Sequence, residues 1–199
     1  MAKVTQLYES IEPVTGKREA ILNAALQLFT EYGFHGTAMP LVAERAGVGA
    51  GTIYRYFESK EALVNTLYRD WKDFQIAEIL KDVPPNTPLQ EQFHICWNRL
   101  VDFATEFPVA FSFLELHYHA SYLDEKSRAV EEHGQNAMLG FFTDCLKQKL
   151  VKNSKAEFLA SIVWGIYVGL IKGSRAHCFE LTKEIIAQAE ASCWEAIRR

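Results

Sequence analysis

No stretch of the chain approaches the roughly 18 uninterrupted apolar residues of a membrane span, and residues 1–12 carry charges where a signal peptide would carry its apolar core. The expectation is a soluble, cytoplasmic protein with no membrane partner. Cysteine is sparse: Cys96, Cys145, Cys178 and Cys193 never form a C-x-x-C pair, which argues against a disulfide framework or a zinc ribbon. They read as reduced core thiols, and no charge beside Cys145 or Cys178 signals a redox switch. A Gly-rich phosphate loop, a nucleophile elbow and an H-E-x-x-H pair are all missing, so the commonest catalytic signatures are excluded. Period-two alternation bounded by turn residues is missing as well, which excludes a sheet. Nor is there a surplus of positive charge. The formal net charge is -4, so any polyanionic partner must be met by local placement of cations.

What the sequence does have is helical periodicity on an apolar content of 49%, ample for a buried interior in 199 residues. The expected fold is all-α, with about nine helices. In the first, Ile21, Ala25, Leu28, Phe29 and Tyr32 recur at three and four, and Gly33 supplies the stop. Thr37 is expected to cap a second, short helix with Pro40 in its first turn and Gly47 at its end. A third runs to Phe57, and Ser59 caps a long fourth. Paired prolines at 84 and 85 break the chain, with Thr87 and Pro88 restarting it. Pro108 divides the next two helices, and Asp124, Ser154 with Glu157, and Thr182 are expected to open the last three. The domains expected are therefore 1–60, a connecting helix over 59–83, and 84–199. Residues 1–60 are charge-balanced, and the whole acid excess lies downstream.

The second and third helices, joined by a Gly-containing turn, have the order of a helix-turn-helix. The third begins with Gly49, Ala50 and Gly51, which lack bulk and let backbone amides come close to a phosphate or base edge. Thr52, Tyr54, Arg55 and Tyr56 then present hydroxyl and guanidinium donors, while Ile53 and Phe57 point inward. The ordered run of Ala46-Gly47-Val48, Gly51-Thr52-Ile53-Tyr54, Phe57 and Ser59-Lys60-Glu61-Ala62-Leu63 resembles the tetracycline-repressor (TetR) family of transcriptional regulators. That resemblance implies a double-stranded DNA operator as partner. It gives base-edge roles to Ala50, Gly51, Thr52 and Arg55, and phosphate roles to Thr37, Tyr54, Tyr56 and Lys60. Gly49 and Ala50 stand where the family often has polar residues, so base reading falls largely on Arg55, whose fork matches guanine O6 and N7.

In the helix over 155–173, Gly165, Gly169 and Gly173 repeat every four residues beside Ile162 and Ile166, giving a strip that another helix can approach closely. Ile185, Ala189, Cys193 and Ala196 form a stripe on the last helix. The resemblance implies that these two helices pair with those of a second copy, making a homodimer on a palindromic site. Phe93, Trp97, Phe107, Phe111, Phe141, Trp164 and Tyr167 supply more aromatic surface than a small bundle needs, offering the lining for a small apolar or aromatic effector with His117 as a polar anchor. Taken one at a time, each of these rings reads more readily as ordinary core. His117 and His119, two apart, face different sides of a helix and make a poor metal set, so no metal or cofactor is expected. A ligand-responsive repressor is the reading favoured. The alternatives are a regulator or activator controlled by a protein partner and, as a minor option, an all-α enzyme.

Overall fold

A computed structural model describes residues 16–84 and 86–199. The expectation about a leader in 1–12, and residue 85 of the proline break, lie outside the described residues. Within them are nine helices: α1 (Gly16–Gly36), α2 (Met39–Arg45), α3 (Ala50–Tyr56), α4 (Lys60–Leu80), α5 (Leu89–Glu106), α6 (Pro108–His117), α7 (Glu125–Lys147), α8 (Ala156–Arg175) and α9 (Lys183–Ile197). The only extended pairing among the described residues is one antiparallel bridge, Val151 with Arg198. The all-α expectation holds because apolar residues recur at helical spacing and glycine or proline stands at the ends.

The caps show where local chemistry prevailed. The Ser59 hydroxyl accepts from the Ala62 amide at 3.1 Å, Asp124 from the Ser127 amide at 2.7 Å, and Thr182 from the Ile185 amide at 3.3 Å. Pro40 sits in the first turn of α2, and Gly47 adopts φ 66° after its end. Three expected caps differ. Thr37 does not cap α2; Ala38 holds that position without a side-chain bond. The Thr87 hydroxyl turns back to the Pro84 carbonyl at 2.8 Å, and Pro88 is the cap of α5. Lys155, not Ser154, precedes α8, with no side-chain cap bond. For Thr37 and Thr87 the hydroxyl found another carbonyl instead of the helix amides.

The helices pack into two compact units, one made of the described residues up to Lys72 with Val109–Arg128, the other of the described residues of Asp73–Pro108 with Ala129–Arg199. This division differs from a single boundary at 84, because α6 packs with the N-terminal helices rather than with its sequence neighbours. The core of the first unit joins Ile21, Leu22, Ala25 and Phe29 of α1 to Val42 and Ala43 of α2, Ile53 of α3, Leu67, Tyr68 and Trp71 of α4, and Phe111 and Phe113 of α6. The core of the second unit is a cluster of rings. Phe93 lies 6.1 Å from Trp97 and 5.1 Å from Trp194, and Trp97 lies 6.5 Å from Tyr167. The Tyr167 hydroxyl donates to the Leu100 carbonyl at 2.9 Å.

Candidate nucleic-acid interface

The turn between α2 and α3 is fixed by backbone bonds. Val48 N–H donates to the Ala43 carbonyl at 2.9 Å and Gly47 N–H to Glu44 at 3.0 Å, a geometry that Gly47 makes accessible through its positive φ. Ala43 is buried where the two short helices cross. Ile53 and Phe57, four apart, are buried and pin α3 to its neighbours. The opposite side of α3 is therefore the free one: Gly49, Ala50, Gly51, Tyr54 and Arg55 are exposed, and Thr52 and Tyr56 are half-buried. Tyr54 keeps 53% of its surface open, an unusual exposure for so large a ring. A Cβ added at Gly51 would meet nothing, and no side chain caps the first turn of α3. The leading end is bare and open, as its composition suggested.

Two of the residues to which the resemblance implies phosphate roles have their side chains engaged within the unit. Thr37 is only 1% exposed, and its hydroxyl donates to the Gly33 carbonyl at 2.8 Å and lies 3.1 Å from that of Leu28. It closes the end of α1, where Gly33 at φ 69° kinks the chain and frees those carbonyls. Its side chain cannot reach a phosphate without leaving the core. Lys60 is half-buried, donates to the Phe34 carbonyl at 2.8 Å and the Thr37 carbonyl at 3.0 Å, and lies 4.3 Å from the Phe34 ring centre. Two of its three donors are used in joining α4 to the α1–α2 turn, so its first role is to set the position of the reading helix.

Behind this face the unit is tied by polar bonds. Asn65 on α4 donates to the Tyr122 carbonyl at 2.8 Å and accepts from the Asp124 amide at 2.7 Å. Arg69 holds the Asp124 carboxylate with one nitrogen at 2.9 and 3.1 Å from its two oxygens and donates to the Ser127 hydroxyl at 3.0 Å. These bonds to Ser127 and Arg69 hold the Asp124 carboxyl below the usual carboxylate range, outweighing its desolvation. Phe34 stacks on Tyr122 at 3.9 Å, and the Tyr122 hydroxyl meets His117 Nδ1 at 2.5 Å. Burial pushes His117 down to about 4, against a weaker opposing pull from a backbone group of Phe29, so the ring is neutral at physiological pH.

The other predicted residues distribute unevenly. Phe111 and His117 belong to the unit that contains α3, while Phe93, Trp97, Phe107, Phe141, Trp164 and Tyr167 belong to the other, so the proposed lining does not assemble within one unit. Two open surface depressions, one beside α3 and one around Ser174 to Leu181, are lined by none of these rings. Trp97 is 1% exposed, and its indole Nε1 lacks a hydrogen-bond partner.

On α8, Gly165 and Gly169 are exposed and Ile162 and Ile166 half-buried; on α9, Ile185, Ala189 and Ala196 are half-buried. Two residues of the expected dimer strip are otherwise engaged. A Cβ on Gly173 would meet the Phe179 ring at 2.8 Å, so that glycine makes room for a side chain of its own unit. Cys193 is fully buried, with its thiol pushed up to about 12 by burial and the Glu190 charge. Phe158, 58% exposed and in line with Ser161, Gly165 and Gly169, extends the open strip and escaped the sequence reading because it sits at the end of the helix, before the glycine repeat.

Comparison with known proteins agrees with this geometry. The family described as "Bacterial regulatory proteins, tetR family" matches residues 21–67, and "Tetracyclin repressor-like, C-terminal domain" matches residues 72–199. The HTH-type transcriptional regulator YhgD of Bacillus subtilis (strain 168) is 25% identical over 173 residues, 86% of this chain and 91% of that protein. The regulator RutR of Escherichia coli (strain K12) is 38% identical over 85 residues, but this covers only 41% of this chain and 40% of RutR. Among solved structures, a TetR family transcription regulator from Marinobacter aquaeolei VT8 superposes with a TM-score of 0.82 at 25% identity, covering 92% of this chain and 95% of that one.

Proposed function

The chain belongs to the TetR family of helix-turn-helix transcriptional regulators, which are DNA-binding proteins and not enzymes, and from that premise we propose that it is a repressor that grips a palindromic operator as a homodimer and releases it on binding a small apolar or aromatic effector. The observation that carries the dimer is the open strip of α8. This helix is apolar and long enough by composition to cross a bilayer, yet only a third of it is buried within the chain. Phe158, Ser161, Gly165 and Gly169 therefore leave an apolar face to be covered, and small residues permit a second copy of the helix to approach closely. Pairing through this strip ties two copies of α3 into one reader, which gains affinity by occupying two half-sites together.

Support for an effector comes from the ring cluster of the second unit, where the unpaired indole N–H of Trp97 is a buried donor with nothing to donate to. A molecule with an apolar body and one acceptor would satisfy it. The close packing of these rings favours a second reading, in which a protein partner acts on the surface and no small molecule enters.

Selection of duplexes from a random pool tests the operator, and sedimentation tests the dimer. The expected outcome is an inverted repeat bound by two copies, with Gly169→Glu giving monomers that lose the repeat but keep weak binding. A single asymmetric site bound by one copy would refute the proposal. Displacement from the selected duplex by apolar acceptor-bearing compounds would favour the effector over the protein partner.

A further inference from the structure

Within the first unit, an open depression lies beside α3 and not on its leading end. It has a volume of about 370 Å³, and its lining includes Arg18, Tyr54, Arg55, Tyr56, Phe57 and Glu58, together with Ala62 and Thr66 of α4. Arg18 stands in the first turn of α1, 36 positions before Tyr54, the nearest helix-turn-helix residue that lines the groove. Its guanidinium lies 5.6 Å from the centre of the Phe57 ring. Phe57 is buried and fixed at the end of α3, so this contact positions the cation relative to the reading helix. Contact with a ring face consumes none of the five N–H donors of arginine, which remain for an anion. The side chain is only half-buried, so its charge is reachable from solvent.

The groove thus brings together two guanidinium groups and two phenol hydroxyls, against one carboxylate, Glu58. In a chain with a net charge of -4 this is a local positive excess, and two of its members, Tyr54 and Arg55, are exposed. Arginine and tyrosine are the residue types that hold phosphate oxygens and set register on a duplex. We propose that this groove seats a backbone phosphodiester of the bound DNA and that Arg18, held by Phe57, is its principal cation. The inference rests on the DNA-binding reading and adds a contact from α1 that lies outside the helix-turn-helix. Lys60 spends two of its donors on carbonyls, which leaves Arg18 as the better-placed cation for this strand. Glu58 opposes the phosphate and limits how tightly unrelated sequences are held.

The test uses the full chain and a fluorescently labelled duplex of random sequence, with anisotropy measured across a series of KCl concentrations. Arg18→Gln keeps much of the side-chain stem over Phe57 and removes the charge. It is expected to weaken binding roughly 3–10-fold and to make the slope of log affinity against log salt shallower by about 0.9, the signature of one lost phosphate contact. Arg18→Lys should restore most of the slope, and Glu58→Gln should tighten binding. Thermal unfolding of each variant separates a lost contact from a damaged fold. An unchanged slope in Arg18→Gln, whether or not affinity falls, overturns the phosphate seat. If the unaltered chain binds no duplex at any salt concentration, the DNA-binding reading itself fails and takes this inference with it.

Discussion

In the unit that presents α3, Thr37, Asn65, Lys72, His117 and Ser127 are buried with polar heads; in the other, Gln75 and Glu131 are, among Phe93, Trp97, Phe103, Phe142 and Tyr167. The first interior is directional. Asn65, Arg69, Asp124 and Ser127 bond at 2.7–3.1 Å, and each bond is lost by a small shift. The second interior is held mostly by ring contacts, which tolerate sliding and repacking at modest cost. A reading helix needs fixed geometry against a rigid duplex, whereas the second unit, if it answers to an effector or partner as proposed, gains from an interior with more than one acceptable packing.

Substitutions can break this comparison or sharpen it. The largest effect is expected from Trp97→Ala, which empties the centre of the ring cluster and should cost about 3–5 kcal/mol in urea unfolding. Trp97→Phe, by contrast, discards only an N–H that bonds to nothing and some volume, and should cost less than about 2 kcal/mol. Equal losses for the two would show that the indole N–H matters after all.

Acid tests the first unit. The unfolded chain takes up a proton on His117 near its ordinary value of 6.5, while the buried ring resists until about 4. The unfolded state therefore binds more protons in that window, so stability is complete above 6.5 and falls as pH drops from 6.5 to 4, by about 3 kcal/mol in total. Chemical unfolding at several pH values should show this slope in the natural chain and lose that part of it in His117→Phe. A slope unaffected by the substitution would remove His117 from the account.

Asn65→Leu keeps the volume but leaves the Tyr122 carbonyl and the Asp124 amide without their partner, and is expected to cost about 2 kcal/mol. A cost near zero would show that the polar ties are incidental. The smallest effect belongs to Arg69→Ala: its ion pair with Asp124 is partly open to solvent, so a loss of at most about 1 kcal/mol is expected, shrinking in high salt.

Much of the fold was legible because glycine, proline and capping side chains act within a few residues. Gly47, Pro40, Ser59, Asp124 and Thr182 mark their helices through local backbone geometry alone. The bare leading end of α3 and the outward direction of Tyr54 and Arg55 were legible for the same reason: Ile53 and Phe57, four apart, fix which side faces in. The roles of Thr37 and Lys60 were not. Both types suit a phosphate contact, and only the kink at Gly33 shows that freed carbonyls take their donors first. Arg18 was invisible because its partner, Phe57, lies far along the chain.

The sequence by itself determined that the chain is helical, the order of its helices and several of their ends, and that two short helices meet at a glycine turn, since these follow from spacing and from φ preferences of single residues. Tertiary structure decided which polar groups remain free. It turned Thr37 inward, covered Gly173 with Phe179, buried Cys193, left Phe158 in the open, and joined α6 to the reading unit. Those outcomes depend on competition among donors, rings and carbonyls brought together from distant parts of the chain, and no local pattern records which partner wins.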